Sequence, residues 1–442
     1  MMARSFALAL RSSGTLRRGF ALALLLGATA RGADWNLHGQ FTGVTQYHPA
    51  FHAPYSGANS LDAESDNAMT LDATLFGGVS LWRDAAFYAN LELDQGFGLS
   101  DTLGVAGFPS GEAYKVGANQ PYWRVPRLFL RQYFPWGERT ATVADAANQL
   151  PIAGMNDGLV LTLGKFSVGD VFDTNQYAHD PRADFLNWSV IDSGAFDYAA
   201  DAWGYTTGIA LEVNRGDWSL RAGLFNLSRI PNGKTTEPHF DQFSGVLELE
   251  RRQSWFGRAG KIKALAYLNR GRMGRYRDAL ALATTADQVP DVAAVRRYAS
   301  KSGIAIDIEQ GINEFLGAFL RFSVSDGSKE AFEFTEINRS LAVGAALAGQ
   351  SWHRPGDALG IAAVVNGLSS AGREYFARGG LGILIGDGRL RARPEQILEA
   401  YYRVQLWPAV ALTFDTQYLR HPAYNADRGP VNILGLRLHA EF

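Results

Sequence analysis

The chain has 442 residues, 47% of them hydrophobic and 19% charged, with a formal net charge of −2 and no cysteine. Without cysteine there is neither a disulfide framework nor a thiolate metal site, and a weakly acidic balance offers nucleic acid no attraction. Past the first few dozen residues no long uncharged apolar run occurs, which excludes a membrane protein built from helices.

The start carries Arg4, Arg11, Arg17 and Arg18, then an apolar run from Phe20 to Leu26, then the small residues Ala28, Ala30 and Gly32. This order of charge, short apolar run and small residues predicts a secretory signal peptide over residues 1–32. The run is too short to span a bilayer. Loss of Arg4, Arg11, Arg17 and Arg18 would leave a formal charge of about −6. Residues 33–442 show no linker, low-complexity tract or composition break, so they are expected to form one large closed sheet.

From Trp35 to Tyr47, apolar Trp35, Leu37, Phe41 and Tyr47 alternate with Asn36, His38, Gln40 and Gln46. A period of two with one apolar face suits a strand that separates lipid from water, and the stretch is long enough to cross a membrane at a tilt. Met69, Leu71, Ala73, Leu75, Val79 and Leu81 repeat the pattern; after a turn at Arg83-Asp84, Phe87, Ala89, Leu91 and Leu93 oppose Tyr88, Asn90, Glu92 and Asp94. Further strands are predicted at 124–134, 159–168, 202–214, 218–227, 243–251, 261–270, 302–310, 315–325, 339–349, 357–366, 396–406, 410–418 and 431–442. The total is about sixteen, an even number as bacterial barrels require. The last strand sets Leu434, Leu436, Leu438, Ala440 and Phe442 against Arg437, His439 and Glu441. Its terminal Phe442 resembles the signal read by the barrel assembly machinery.

Connections alternate in length. Those at 83–84, 215–217, 312–314 and 406–408 are short, whereas 48–67, 95–123, 169–201, 271–301 and 367–395 are long. The fold class expected is therefore all-β: a transmembrane antiparallel up-and-down β-barrel of about sixteen strands, with both termini periplasmic and long external loops partly folded into the bore. The stretch 135–158 breaks the rule, being long where a short turn belongs; a plug, an insertion and a misread strand are the readings open to it. Trp35, Tyr47, Trp82, Trp203, Trp218, Trp255 and Trp407 fall near strand ends, where an interfacial aromatic girdle would lie.

Inside such a barrel the lumen side chains decide what passes. Strand parity places Glu92 and Asp94 on one face, and Arg127 and Arg131, with Arg124 close by, on the strand expected opposite. Acid facing base makes a transverse field and a set of hydrogen-bonding groups; the plainer reading is a salt-bridge ladder that only satisfies the lumen. The loop after the fifth strand holds Asp170, Asp173, Asn175, Asp180, Arg182 and Trp188. Carboxylates, amides and guanidinium groups pair with sugar hydroxyls while an aromatic face covers the apolar side of the ring. Asp170, Asp173 and Asn175 also offer oxygens to calcium, but the EF-hand spacing and its closing Glu are missing, and no metal or other cofactor is expected.

Several blocks resemble the carbohydrate-selective porins of the OprB family: Leu37-His38-Gly39-Gln40-Phe41 with Gln46-Tyr47-His48-Pro49-Ala50-Phe51, Asp94 through Ser100, Ala178-His179-Asp180-Pro181-Arg182, Asp197 through Tyr205, and Gly380 through Leu384. The resemblance extends over the mature chain. It implies an outer-membrane channel passing glucose-like sugars passively through an eyelet of arginine, carboxylate and aromatic residues, with carbohydrate solutes and outer-membrane lipids as partners. General porins are trimers, so a homotrimer is open to this chain, but the oligomeric state is not readable from its residues. Parity and loop placement, rather than the resemblance, nominate Glu92, Asp94, Arg124, Arg127, Arg131, Asp173, Asn175, Asp180, Arg182 and Trp188 for that eyelet. Competing functions are a general diffusion porin without sugar selectivity and a lipase-type barrel enzyme, for which no Gly-x-Ser-x-Gly elbow or His-Glu-x-x-His helix is present. Glu92 and Asp94 suggest a glycosidase pair, but adjacent lumen residues on one strand are more simply field-setting groups; a lectin sandwich would need shorter strands and does not account for the alternating connections.

Overall fold

The computed structural model describes residues 35–113, 117–137, 141–154, 157–285 and 287–442. The expected leader lies outside the described residues. The strands in chain order are β1 (Trp35–His48), β2 (Asp66–Trp82), β3 (Ala85–Gly96), β4 (Ala118–Arg124), β5 (Leu128–Pro135), β6 (Ala141–Val143), β7 (Ile152–Gly154), β8 (Gly158–Phe166), β9 (Thr206–Arg215), β10 (Trp218–Asn226), β11 (Phe243–Trp255), β12 (Arg258–Met273), β13 (Arg297–Gly311), β14 (Leu316–Ser325), β15 (Arg339–Ala348), β16 (Ala358–Gly367), β17 (Glu395–Trp407), β18 (Val410–Arg420) and β19 (Val431–Glu441). Seventeen of them form one antiparallel sheet that closes where β19 pairs with β1, from Glu441 opposite Gln40 to Leu434 opposite Tyr47. β4 and β5 lie end to end along β3, Arg124 opposite Glu92 and Leu128 opposite Ala89, so the barrel has sixteen staves. No helix among the described residues is long and apolar enough to cross a membrane.

Each predicted strand corresponds to a stave, with two changes. The stretch 124–134 is broken at Val125-Pro126-Arg127, because proline lacks the N–H that a ladder position needs. The Asn90 amide instead reaches over to the Arg127 carbonyl at 3.0 Å. The break also shifts parity, so that Tyr122 and Arg124 before it and Phe129 and Arg131 after it all point inward. The strand predicted from 202 begins only at Thr206, since residues 202–205 belong to an inward-folded loop.

Short turns gather at one end. Phe256 and Gly257, with φ of 55° and 68°, take the left-handed pair that a two-residue hairpin turn requires, and Asp84 follows suit at 64°. At the same end Trp35, Trp82, Trp218, Trp255 and Trp407 are about half exposed on the outer wall, joined by Trp136, and form one interfacial belt. Trp203 is not part of it: its indole nitrogen donates to the Tyr122 hydroxyl inside the barrel at 2.9 Å. On β19, Leu434 faces outward while Arg437 and His439 are buried inward, as the alternation requires. The Phe442 ring covers Gly39, where a Cβ would overlap it, and the two residues exchange both backbone hydrogen bonds at 2.9 Å.

Residues 136–157 contain the small antiparallel ribbon β6–β7, which lies apart from the main sheet. The stretch adds no stave to the main sheet, which excludes the misread strand among the three readings.

Candidate channel constriction

The long connection between β8 and β9, residues 167–205, folds into the bore and is held there by charged wall residues. Inward parity on a lipid-bounded strand offers a side chain no bulk solvent once a loop covers it, so a buried charge there must find partners in that loop. Arg321 on β14, 1% exposed, donates to the carbonyls of Ala178 at 2.7 Å, Val190 at 2.6 Å and Asp173 at 2.9 Å, and to Asp307 of β13 at 2.9 Å. Arg437 on β19 donates to the carbonyls of Pro181 at 2.6 Å and Asp184 at 2.8 Å. Glu399 on β17 accepts from the amides of Leu186 and Asn187; Glu395 on the same strand holds other connections, accepting from the amides of Ala106 and Gly107 between β3 and β4 and of Ala423 between β18 and β19. The loop is thus tied across several staves. Its short helix α1 (Trp188–Ile191) starts at Asn187, whose side chain accepts from the Ser189 amide and donates to Gly107 and Gln417.

A chain of guanidinium and carboxylate groups lies on the β2–β5 side. Arg124 bridges Glu92 at 2.5 Å and Asp94 next to it on the same strand face. Arg182, from the loop, meets Asp72 at 2.9 Å, Glu92 at 3.4 Å and Glu112 at 3.5 Å. Arg127, in the break between β4 and β5, makes a two-pronged contact with Asp170 at 2.5 and 2.7 Å. Arg124 and Arg127 also lie over the Tyr205 ring, at 4.9 and 5.0 Å.

Trp188 stacks on Phe108 with centroids 4.9 Å apart and touches Phe334 at 4.6 Å, while Tyr198 lies 4.5 Å from Phe334. Charges and rings together line a cavity of about 280 Å³, among them Arg127, Asp170, Asp180, Arg182, Phe108, Trp188 and Phe334. Its size and its mixture of apolar wall and convergent polar groups suit a small polyhydroxylated solute.

Of the nominated residues, the structure brings together Glu92, Asp94, Arg124, Arg127 and Arg182 in the charged chain, and sets Asp180 and Trp188 on the cavity. Asp173 and Asn175 are placed elsewhere, both buried: Asp173 accepts from the Ser193 amide and hydroxyl at 2.6 and 2.7 Å, and Asn175 donates to Asp307 at 3.0 Å. They hold the loop to the wall. Neither Asp173 nor Asn175 lies with Asp170 in an oxygen cage, and Asp170 is taken by Arg127. Arg131 sits apart near the short-turn end, with its guanidinium 3.2 Å from the Asn148 carbonyl. Asp170, Glu112 and the aromatic trio Phe108, Tyr198 and Phe334 were not among the nominated residues; Glu112 and Phe108 stand in a glycine-rich loop whose inward fold no local pattern marks.

Burial, reinforced by the Asp72 carboxylate, pushes Glu112 well above the usual carboxylate range. Burial, then the neighbouring Asp173 carboxylate, pushes Asp192 on the cavity up to about 6, against which His179 and Arg321 act. A raised carboxyl pKa means that the folded loop favours the neutral acid: its contribution to stability is present at acid pH and is lost as pH rises through about 6. The cavity gains a negative charge over the same interval. Cation preference, read as the reversal potential in a salt gradient, is expected to rise as pH passes through about 6 in the native chain and to show no such step in Asp192→Asn; a step of equal size in the variant counts against Asp192.

The sequence profile described as the carbohydrate-selective porin OprB family matches residues 58–442. Porin AaxA of Chlamydia abortus is 21% identical over 286 residues, a match that takes in 63% of this chain and 53% of that protein. Among solved structures, the high-pH structure of Pseudomonas putida OprB covers 92% of this chain and 94% of its own, with a TM-score of 0.71 and 14% identity. The outer-membrane channel DcaP of Acinetobacter baumannii covers 94% and 99%, with a TM-score of 0.50 and 12% identity. The two structural likenesses speak for the barrel, and the profile match over most of the chain speaks for descent: this outer-membrane β-barrel belongs to the OprB family of carbohydrate-selective porins.

Proposed function

We propose that the chain is a passive channel for glucose-like sugars, with the cavity lined by the arginine–carboxylate chain and the Trp188 stack as its eyelet. The observation that carries this reading is that one cavity of about 280 Å³ is lined both by Arg127, Asp170, Asp180 and Arg182 and by Phe108, Trp188 and Phe334. Guanidinium and carboxylate groups exchange hydrogen bonds with hydroxyls, and ring faces cover the C–H side of a pyranose. Glu92, Asp94 and Arg124 support the eyelet from behind by setting its field and by holding Arg182 and the Tyr205 ring in place. Asp173 and Asn175 serve the loop's position. Transport runs down a gradient without a cofactor, and delivery to the barrel assembly machinery runs through the last strand, whose Phe442 ring seals against Gly39. The homotrimer of general porins is the assembly this reading carries over.

Liposome swelling with glucose, a disaccharide and simple salts tests the proposal. Selective entry of glucose over other solutes of similar size is expected; equal entry of all of them would leave a general diffusion porin, and no entry would overturn the channel. Within the eyelet, Arg127→Ala is expected to weaken block of ion current by glucose roughly tenfold, the range for a lost charge-assisted hydrogen bond. Unchanged block would remove Arg127 from the sugar path.

A further inference from the structure

In the insertion between β5 and β8, the turn at 145–150 sits against inward-facing side chains of the barrel wall. After β6 the chain turns at 145–149, where Ala146 and Gln149 pair across the turn and Asn148 takes a φ of 57°. The side chains that hold this turn all point into the lumen. Asn36 of β1 donates to Asp145 at 2.6 Å and to the carbonyls of Ala146 at 3.3 Å and Gln149 at 3.0 Å, and His38 Nε2 lies 3.3 Å from the Asp145 carboxylate. From β5, Arg131 donates to the Asn148 carbonyl at 3.2 Å and the Tyr133 hydroxyl to Gln149 at 2.9 Å; from β3, the Tyr88 hydroxyl accepts from the Leu150 amide at 3.0 Å. Asn36 and His38 begin β1, Tyr88 is near the start of β3, and Arg131 and Tyr133 are near the end of β5, so these contacts share the short-turn, periplasmic end. β1 and β5 are three staves apart, roughly 14 Å at ordinary strand spacing, and the turn bridges that span across the lumen.

The other connections at this end are two to nine residues long, whereas this one takes residues 136–157. A hairpin turn between neighbouring staves needs no such length. Residues 143–147 are exposed while Leu150 is buried, so the turn is anchored on one side and open to water on the other.

We propose that residues 143–150 form a second constriction at the periplasmic mouth, in series with the eyelet, which limits conductance and, through Asp145, sets the charge preference of the exit. The proposal rests on the channel reading above. Sugar affinity stays with the eyelet; the turn acts on everything that leaves it. A fixed carboxylate beside a narrow wet passage favours cations over anions.

The test uses the full barrel in planar bilayers. Val143 and Ile152 already pair, so replacing 144–151 by Asn-Gly ends the ribbon in a two-residue turn without disturbing the staves. Single-channel conductance is expected to rise by roughly 1.5-fold to twofold, with the glucose concentration for half block unchanged. Asp145→Asn keeps an oxygen for Asn36 and leaves the turn in place; it is expected to shift the reversal potential in a salt gradient toward anions. Unchanged conductance in the first variant overturns the constriction. Should the first variant not fold, an unchanged reversal potential in Asp145→Asn overturns it. A native barrel without conductance would overturn the channel reading itself, and native conductance with unaltered variants overturns the second constriction alone.

Discussion

Replacing Arg321 with methionine is expected to release the inward loop, raise conductance by roughly twofold and abolish block by sugar. Methionine keeps the apolar stem but donates nothing, so the carbonyls of Ala178, Val190 and Asp173 and the Asp307 carboxylate lose their shared partner at once. Removing one member of such a buried set costs about 3–5 kcal/mol. The barrel itself should survive, because its staves are joined by backbone hydrogen bonds that the side chain does not touch. The loss therefore falls on residues 173–190, which carry Asp180, Arg182 and Trp188. Conductance, glucose block and protease sensitivity of the loop, measured on the same preparation, check this. A variant with native conductance and native block would show that the loop holds its place without Arg321.

Trp188→Ala is the second large effect expected. Trp188 is 8% exposed and in ring contact with Phe108, Phe334 and Tyr198, so its removal leaves a void that would cost about 3–5 kcal/mol in a rigid core. In the bore the neighbours relax into the void, and the aromatic wall of the cavity is lost as a flat surface. Glucose block should weaken by more than tenfold, since both the stacking surface and its orientation go. Trp188→Phe, which keeps a ring against Phe108, should restore most of the block. Equal loss in the phenylalanine and alanine variants would mean that Trp188 acts through loop stability alone.

These two residues differ in how visible they are before the structure is known. Trp188, beside Asn187 in a loop rich in carboxylates, carries the composition of a sugar site, and it does line the cavity. Arg321 looks like any inward charge on a strand. Its importance arises from three carbonyls more than a hundred positions away in the chain. Asp173 and Asn175 illustrate the converse: their residue types fit a binding loop, but the loop turns their side chains toward Ser193 and Asp307, where they are buried in hydrogen bonds that hold the loop. Arg131 shares parity with Phe129 and Tyr133, as the alternation requires, and is separated from the cavity by its height along the strand, which parity does not measure.

The sequence by itself determined the barrel: the number of staves, their inward and outward faces, the end that bears short turns, and the closing strand at Phe442. Each of these follows from a period of two and from turn chemistry, which act between residues close in the chain and are imposed everywhere by the boundary between lipid and water. Tertiary structure alone decided the rest. The break at Pro126 that lets Arg124 and Arg127 both face the lumen, the tethering of residues 167–205 by Arg321, Arg437 and Glu399, and the seating of 143–150 on Asn36, Arg131 and Tyr88 all depend on contacts across the bore. Such contacts are chosen by which buried charge can reach which loop carbonyl or amide, a matter of distance in space that no local pattern along the chain records.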